Sequence, residues 1–248
     1  MIKFKYWVFI LLSLILATHL TACSKKQSDD SAVVADATTQ DATGDEKLGT
    51  KWGDELTSNV SDVDLKRLKD EPIAQSAIRY ANKNYQGKSV NSLSIASGTI
   101  SFSVVDDQMN NLPLFRDGQQ YYLSAKEGQS YQLHYQNHSD KTYEIVASVD
   151  GLDVLNGQEA SVYSSGYVLY PQQTLTIEGF RKSDSAVASF TFGKPDESYA
   201  ANSNQGSVNN VGIIGTVVYE LESEAPVAAD AADEYAPPPN AFPADKKK

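Results

Sequence analysis

Apolar and polar positions alternate with a period of two along most of the stretch 88–221. Ile100, Phe102 and Val104 interleave with Thr99, Ser101 and Ser103, and Tyr131, Leu133 and Tyr135 with Gln132, His134 and Gln136. This is the spacing of half-buried strands, whose successive side chains face opposite sides of a sheet. Tyr143, Ile145, Ala147 and Val149 repeat it and run into Asp150-Gly151, and the apolar stretch 152–155 runs into Asn156-Gly157. Both dipeptides favour the positive φ angles of tight hairpin turns. Strands are predicted at 93–96, 99–105, 120–124, 129–137, 142–149, 152–155, 166–170, 174–178, 186–192 and 212–221. That density, with short turns and no intervening helices, predicts a mainly β chain folded as an antiparallel β-sandwich, jelly-roll-like or Ig-like.

Ahead of the strands the period changes. Ile73, Ala77, Tyr80, Ala81 and Asn84 fall three and four residues apart, and Pro72 stands at the first turn, where its missing N–H does no harm. One amphipathic helix is expected over 73–85, packed on the sandwich. On either side of the folded part the composition turns polar: 24–49 is Ser, Asp, Thr, Ala and Gln with almost no large apolar residue, and 224–248 carries Pro237-Pro238-Pro239 and Lys246-Lys247-Lys248. Such stretches bury too little surface to offset their ordering entropy, so both tails are expected to be disordered. The resulting plan is a signal peptide at 1–22, a tether at 23–49, a short helical segment at 50–87, the β-sandwich domain at 88–222 and a Pro/Ala/Lys tail at 223–248.

The N-terminus carries an address. Lys3 and Lys5 precede an apolar run over 6–12 that continues through Leu14, Ile15, Leu16 and Ala17. The run is shorter than the roughly 20 residues a membrane-crossing helix needs, and it reads as a secretory signal. It ends in Leu20-Thr21-Ala22-Cys23, which resembles the bacterial lipobox. The resemblance implies that the Cys23 thiol receives a diacylglyceryl group, that cleavage follows Ala22, and that the new amino terminus is acylated. Two or three chains, at about 0.8 kcal/mol per buried methylene, make a stable anchor where one would be marginal. Ser24 follows in place of aspartate, and by resemblance to the bacterial sorting pattern this favours the outer membrane, with the domain facing the periplasm or the cell surface.

Composition sharpens this picture. Cys23 is the single cysteine of 248 residues, so no intramolecular disulfide exists and stability must come from packing. The formal charge is -11, from 21 basic against 32 acidic residues, and loss of Lys3 and Lys5 with the signal takes it to -13. That balance excludes nucleic-acid binding through a general electrostatic footprint. The anchor is lipid, not charge.

The core also carries a resemblance. Ser148-Val149-Asp150-Gly151-Leu152-Asp153-Val154, Gly166-Tyr167-Val168-Leu169, Gly179-Phe180-Arg181, Ala188-Ser189-Phe190, Ser198-Tyr199-Ala200 and Asn210-Val211-Gly212-Ile213-Ile214-Gly215 together resemble an uncharacterised domain of bacterial secreted proteins and lipoproteins, over about 125–222. The resemblance implies a β-rich domain and no mechanism.

Catalytic chemistry is thinly supplied. His134 and His138 lie about 13 Å apart along a strand, without a third ligand for a metal. Asp150 with Asp153, and Asp106 with Asp107, could offer oxygens to calcium, but neither pair matches an EF-hand loop. Asp153, Glu159 and Glu178 are the carboxylates to consider for glycoside hydrolysis. No nucleophile elbow, phosphate-binding loop or dinucleotide fingerprint occurs, and no cofactor is implied. Aromatics are the better lead: Tyr163, Tyr167, Tyr170 and Tyr199, with Tyr121 and Tyr122, join a flat apolar face to a hydroxyl, a surface suited to sugar rings or a protein partner. Strand propensity is the competing account of these tyrosines. Arg181 is read either as a structural partner of Asp150, Asp153 or Glu178 or as a contact for an anionic ligand. The expectation is a non-catalytic binding or assembly module of the cell envelope. An envelope glycan-binding protein or glycan hydrolase, and a purely structural envelope protein, are the alternatives.

Overall fold

The computed structural model describes residues 41–222 together with the backbone of 228–229. The expected signal peptide, Cys23 and most of the expected tether and tail lie outside these residues. Among the described residues no helix is long and apolar enough to cross a membrane.

The strands run in chain order as β1 (Gly49–Thr57), β2 (Asp62–Val63), β3 (Ala74–Ala81), β4 (Lys88–Val90), β5 (Leu93–Ile95), β6 (Ile100–Val105), β7 (Leu114–Asp117), β8 (Gln120–Ser124) and β9 (Ser130–Asn137). Then come β10 (Tyr143–Val149), β11 (Leu152–Asp153), β12 (Tyr167–Leu169), β13 (Thr174–Ile177), β14 (Gly179–Ser183), β15 (Ala186–Gly193), β16 (Ile213–Glu220) and β17 (Ala228–Ala229). One sheet has the order β1-β15-β9-β6-β5, with β13 beside β9 and β14 beside β15. The second has the order β11-β10-β16-β3-β8-β7-β4, with β12 beside β10. The two sheets pack as a sandwich, and every expected strand is present. The alternation that marked them is visible in burial: Phe102, Leu133, Tyr135, Ile145, Phe190 and Ile214 are fully buried. Aromatic rings fill much of the interior, with Tyr131 stacked on Phe192 at 4.1 Å and Phe102 on Tyr135 at 4.4 Å. Offset stacks of this kind add to the burial of their area.

The expected hairpin at Asp150-Gly151 forms, with φ of 54° and 77° and Val149 facing Leu152 across a two-residue turn. Positive φ at both central residues is what that turn demands, and Asp and Gly tolerate it.

Three expectations are corrected. The helix over 73–85 is instead the strand β3. Ile78 and Tyr80 point into the core with Arg79 between them facing outward, and β3 is bonded on one side to β16, antiparallel, and on the other to β8, parallel. The alanines that suggested a helix are overruled by two complete hydrogen-bonded ladders and by burial of Ile78, a residue the helical pattern left on its polar face. The parallel β3–β8 pair also departs from an all-antiparallel sandwich. Second, order begins before residue 49: Thr43 and Glu46 close a capping box on a single 3₁₀ turn, Gly44–Glu46, and Leu48 is buried. Third, the sandwich does not begin at 88, since β1 and β3 belong to its two sheets. Within the expected tail, the backbone of β17 pairs antiparallel with β2.

Gly179 marks the tightest place in the packing. A β-carbon there would lie 2.0 Å from the Ala188 carbonyl oxygen, a backbone atom of the neighbouring strand that has no room to yield. Gly179→Ala is expected to cost about 3 kcal/mol or more in urea unfolding. The control Gly44→Ala, where a β-carbon meets nothing within 4 Å, is expected to cost less than about 1 kcal/mol.

Candidate functional site

The sequence-predicted residues separate into core and surface. Tyr199 is fully buried, its ring 4.8 Å from Trp52 and 4.6 Å from Phe180, and it closes one end of the aromatic core. It offers no face to a ligand. Arg181 is buried as well, and its guanidinium donates to the Ser58 carbonyl at 2.5 Å, to Ser58 Oγ, to the Ser183 carbonyl and to the Tyr167 hydroxyl. It thus ties the chain leaving β1 to β14. Of its three expected partners, Asp150 is engaged elsewhere. Tyr167 lies beside it, with the guanidinium carbon 5.7 Å from the ring centroid, and burial pushes the Tyr167 phenol above its ordinary value. Tyr170 is half-buried, and its carbonyl accepts from the Asn137 side chain. Tyr163 is 69% exposed on the loop between β11 and β12. Arg181 and Tyr167 are brought together, but as parts of the packing. Tyr122 is buried and stacks on Tyr85 at 4.8 Å.

The histidines are used locally: His134 Nδ1 meets Thr176 Oγ1 at 3.0 Å and His138 Nε2 meets Ser101 Oγ at 2.8 Å. Asp106 accepts three hydrogen bonds from Gln108 and Asn110, which close its own loop and hold its carboxyl below the usual range. Asp153 Oδ1 accepts from the Leu155 and Asn156 amides in the turn that follows it. Among the described residues no group of three or more His, Cys, Asp or Glu side chains is placed to hold a metal.

Asp150 is the buried carboxylate that joins the two sheets. Its Oδ2 accepts from the Thr50 amide at 2.6 Å, and its Oδ1 from the Tyr80 hydroxyl at 2.6 Å and the Gly212 amide at 2.8 Å. Thr50 Oγ1 lies 2.8 Å from the Tyr80 hydroxyl and 2.6 Å from that of Tyr131. Since the one proton of Tyr80 goes to Asp150, Thr50 must donate to Tyr80 and Tyr131 to Thr50. A directed chain, Tyr131 to Thr50 to Tyr80 to Asp150, therefore runs from one sheet to the other. All four residues are buried. Burial outweighs these donors and pushes the Asp150 carboxyl up to about 6.

Two concavities bear on the question. One, about 340 Å³, is lined by Ile73, Ser97, Thr99, Ser139, Lys141 and Glu220, among others. Its cation is already paired, Lys141 Nζ standing 2.8 Å from Glu220. The second, about 220 Å³, opens on the outer side of the second sheet. Its walls are the segment Asp41, Ala42, Lys47 and Leu48, the strand residues Arg79 and Tyr122, Tyr85, and the loop through Asn209, Val211 and Gly212. Tyr80 and Gly212 belong to both this cleft and the Asp150 network. Lys47 makes no ion pair among the described residues. Sequence reasoning missed this cleft because one wall was read as tether and another as helix. The signal that could have found it is the Ile78-Arg79-Tyr80 alternation, which puts a cation on the face opposite two core residues.

No protein-family model matches the chain, and neither curated proteins nor solved structures match it.

Asp150→Ala strands the Thr50 and Gly212 amides and the Tyr80 hydroxyl together, and it is expected to cost about 3–5 kcal/mol in denaturant unfolding. Because the folded pKa of Asp150 lies above the ordinary 3.8, its contribution is fully present below about pH 4 and is lost as pH rises through about 6. Stability measured across pH 4 to 7, wild type minus Asp150→Asn, is therefore expected to fall with rising pH. A flat difference would exclude the raised pKa.

Proposed function

We propose that the protein is a bacterial outer-membrane lipoprotein, anchored through acylated Cys23, whose β-sandwich serves as a non-catalytic binding or assembly module of the cell envelope. The observation that carries the anchor is the single cysteine standing at the end of Leu20-Thr21-Ala22-Cys23 behind a short apolar leader. Support for a module without chemistry of its own comes from how the buried ionisable groups are spent. Asp150 ties the sheets together and Arg181 pins β14. Glu144 takes Arg67 at 2.6 Å and the Gly166 amide at 2.7 Å, with the Arg67 guanidinium 3.7 Å above the Tyr219 ring. Each is committed to architecture, and charge pairs of this degree of burial are costly to disturb.

The uncharacterised domain that 125–222 resembles supplies no mechanism, so the reading rests on the anchor and on a cleft walled in part by the first described residues after the leader and its polar stretch. In cells producing the full chain, Cys23→Ser is expected to abolish incorporation of labelled palmitate and leave the precursor uncleaved. Normal processing of that variant would refute the anchor. Affinity capture from intact envelopes with the lipidated protein should retain a stoichiometric protein partner, whereas retained glycan fragments would favour carbohydrate recognition.

A further inference from the structure

We propose that the buried hydroxyls joining the two sheets form a proton relay with two directions: uptake of a proton by Asp150 turns Tyr80, Thr50 and Tyr131 from donors toward the carboxyl into donors away from it. The relay is a property of the fold and holds whether or not the domain binds a partner.

Three features of the network dictate the reversal. The first is what surrounds the carboxyl. Among the described residues its oxygens are bonded to the Thr50 amide, the Gly212 amide and the Tyr80 hydroxyl. An amide N–H has no lone pair to offer, whereas a phenol oxygen both gives and accepts. A protonated Asp150 can therefore hand its proton only to Tyr80. The two amides stay bonded in both states, because the oxygens they reach still accept.

The second is the spacing along the chain. Asp150 Oδ1 lies 2.6 Å from the Tyr80 hydroxyl, which lies 2.8 Å from Thr50 Oγ1, which lies 2.6 Å from the Tyr131 hydroxyl. Such distances serve O–H···O bonds in either direction. Each hydroxyl carries one proton, so once Tyr80 accepts from Asp150 it must donate to Thr50, and Thr50 to Tyr131. Every proton already present swings about its own C–O bond; one is taken up and none leaves. While the carboxylate is ionised the direction is fixed toward it. Tyr80 and Gly212 line the smaller cleft, so solvent approaches the chain at its Asp150 end.

The third is the far end. Tyr131 is buried between Phe190 at 5.2 Å and Phe192 at 4.1 Å, and among the described residues its hydroxyl is bonded to Thr50 alone. With Asp150 ionised, every hydroxyl proton of the chain has an acceptor. With Asp150 protonated, the Tyr131 proton is left over, and a buried donor without a partner is costly. That cost opposes protonation while burial of the charge favours it; burial prevails, and the carboxyl is pushed up to about 6. The ionisable groups facing Asp150 are Tyr80 from β3 and Tyr131 from β9, both held well above the usual phenol range by burial. From β1 and from the start of β16 it meets only Thr50 and the Gly212 and Ile213 amides. Of the four members of the chain, Asp150 alone changes charge near neutrality.

The test uses the full mature chain made soluble by Cys23→Ser, with ¹³C at tyrosine Cζ and aspartate Cγ, followed by NMR from about pH 4 to 8. Tyr131 Cζ and Asp150 Cγ are expected to titrate with one shared midpoint of about 6, although they belong to opposite sheets. Thr50→Val removes the middle hydroxyl and is expected to silence Tyr131 while Tyr80 Cζ still follows Asp150; Thr50→Ser is expected to restore the response. Asp150→Asn is expected to flatten both tyrosine curves. A second readout needs no variant: the Tyr131 hydroxyl proton is expected to show a nuclear Overhauser contact to Thr50 above the midpoint and to lose it below. A Tyr131 response that persists in folded Thr50→Val would come from the field of the charge alone and would overturn the relay. So would a wild type in which Asp150 titrates and Tyr131 does not, an Asp150 that does not titrate across this range, or a Tyr131 proton that stays on Thr50 below the midpoint.

Discussion

The carboxylate of Asp150 is the point on which the two sheets depend. It sits in a hairpin turn of one sheet and takes the Thr50 amide from an edge strand of the other, while the hydroxyls of Tyr131, Thr50 and Tyr80 pass their protons toward it in a fixed direction. Hydrophobic burial between two sheets is non-directional and by itself tolerates small shifts of one layer over the other. A charged acceptor with three donors does not, because any other register leaves buried N–H and O–H groups without partners. With no disulfide to cross-link the layers, this network supplies the registration that packing alone lacks. It does so at the expense of holding a buried charge, which is the origin of the raised pKa.

The same logic organises the periphery. Arg181 reaches back to Ser58 and Ser183, and Arg67 is held between Glu144, the Ser164 carbonyl and the Tyr219 ring. Each long cation closes a connection that has little apolar surface of its own. The edges of the sheets are guarded by other means: β4 is three residues long and begins with Lys88, and β1 carries a break in register between Trp52 and Glu55 beside Asp54. Short, charged or irregular edges discourage pairing with another chain.

Legibility from sequence followed the reach of the signal. β9 alternates buried and partly exposed positions along its length, β6, β10 and β16 carry enough of the same period to be recognised, and the Asp150-Gly151 turn is local chemistry, so these could be read from the sequence. β3 could not. Its sequence, Ala74 to Ala81, satisfies a helical and a strand pattern at once, and what decides between them is a pair of ladders to β8 and β16, both of which lie far downstream along the chain. The same non-locality hid the role of Asp150, whose partners Thr50, Tyr80 and Gly212 come from three separate regions. Among the site residues, Tyr199 and Arg181 were singled out for chemistry that they spend on packing, since sequence gives a side chain's type but not its burial.

β3 shows how core and surface share one strand without interfering. Tyr80 faces inward to donate to Asp150, and Arg79, one residue earlier, faces outward into the cleft. The period of two sends adjacent side chains to opposite faces, so the strand that the Asp150 network fixes most firmly is also the one that presents a cation at a fixed place. Tyr80 and Gly212 reach the inner end of that cleft while bonded to the carboxylate. The floor of the cleft is therefore set by the interaction that registers the sheets. The shape of the cleft is thus fixed by the core, while its outward residues can change without disturbing the packing beneath them.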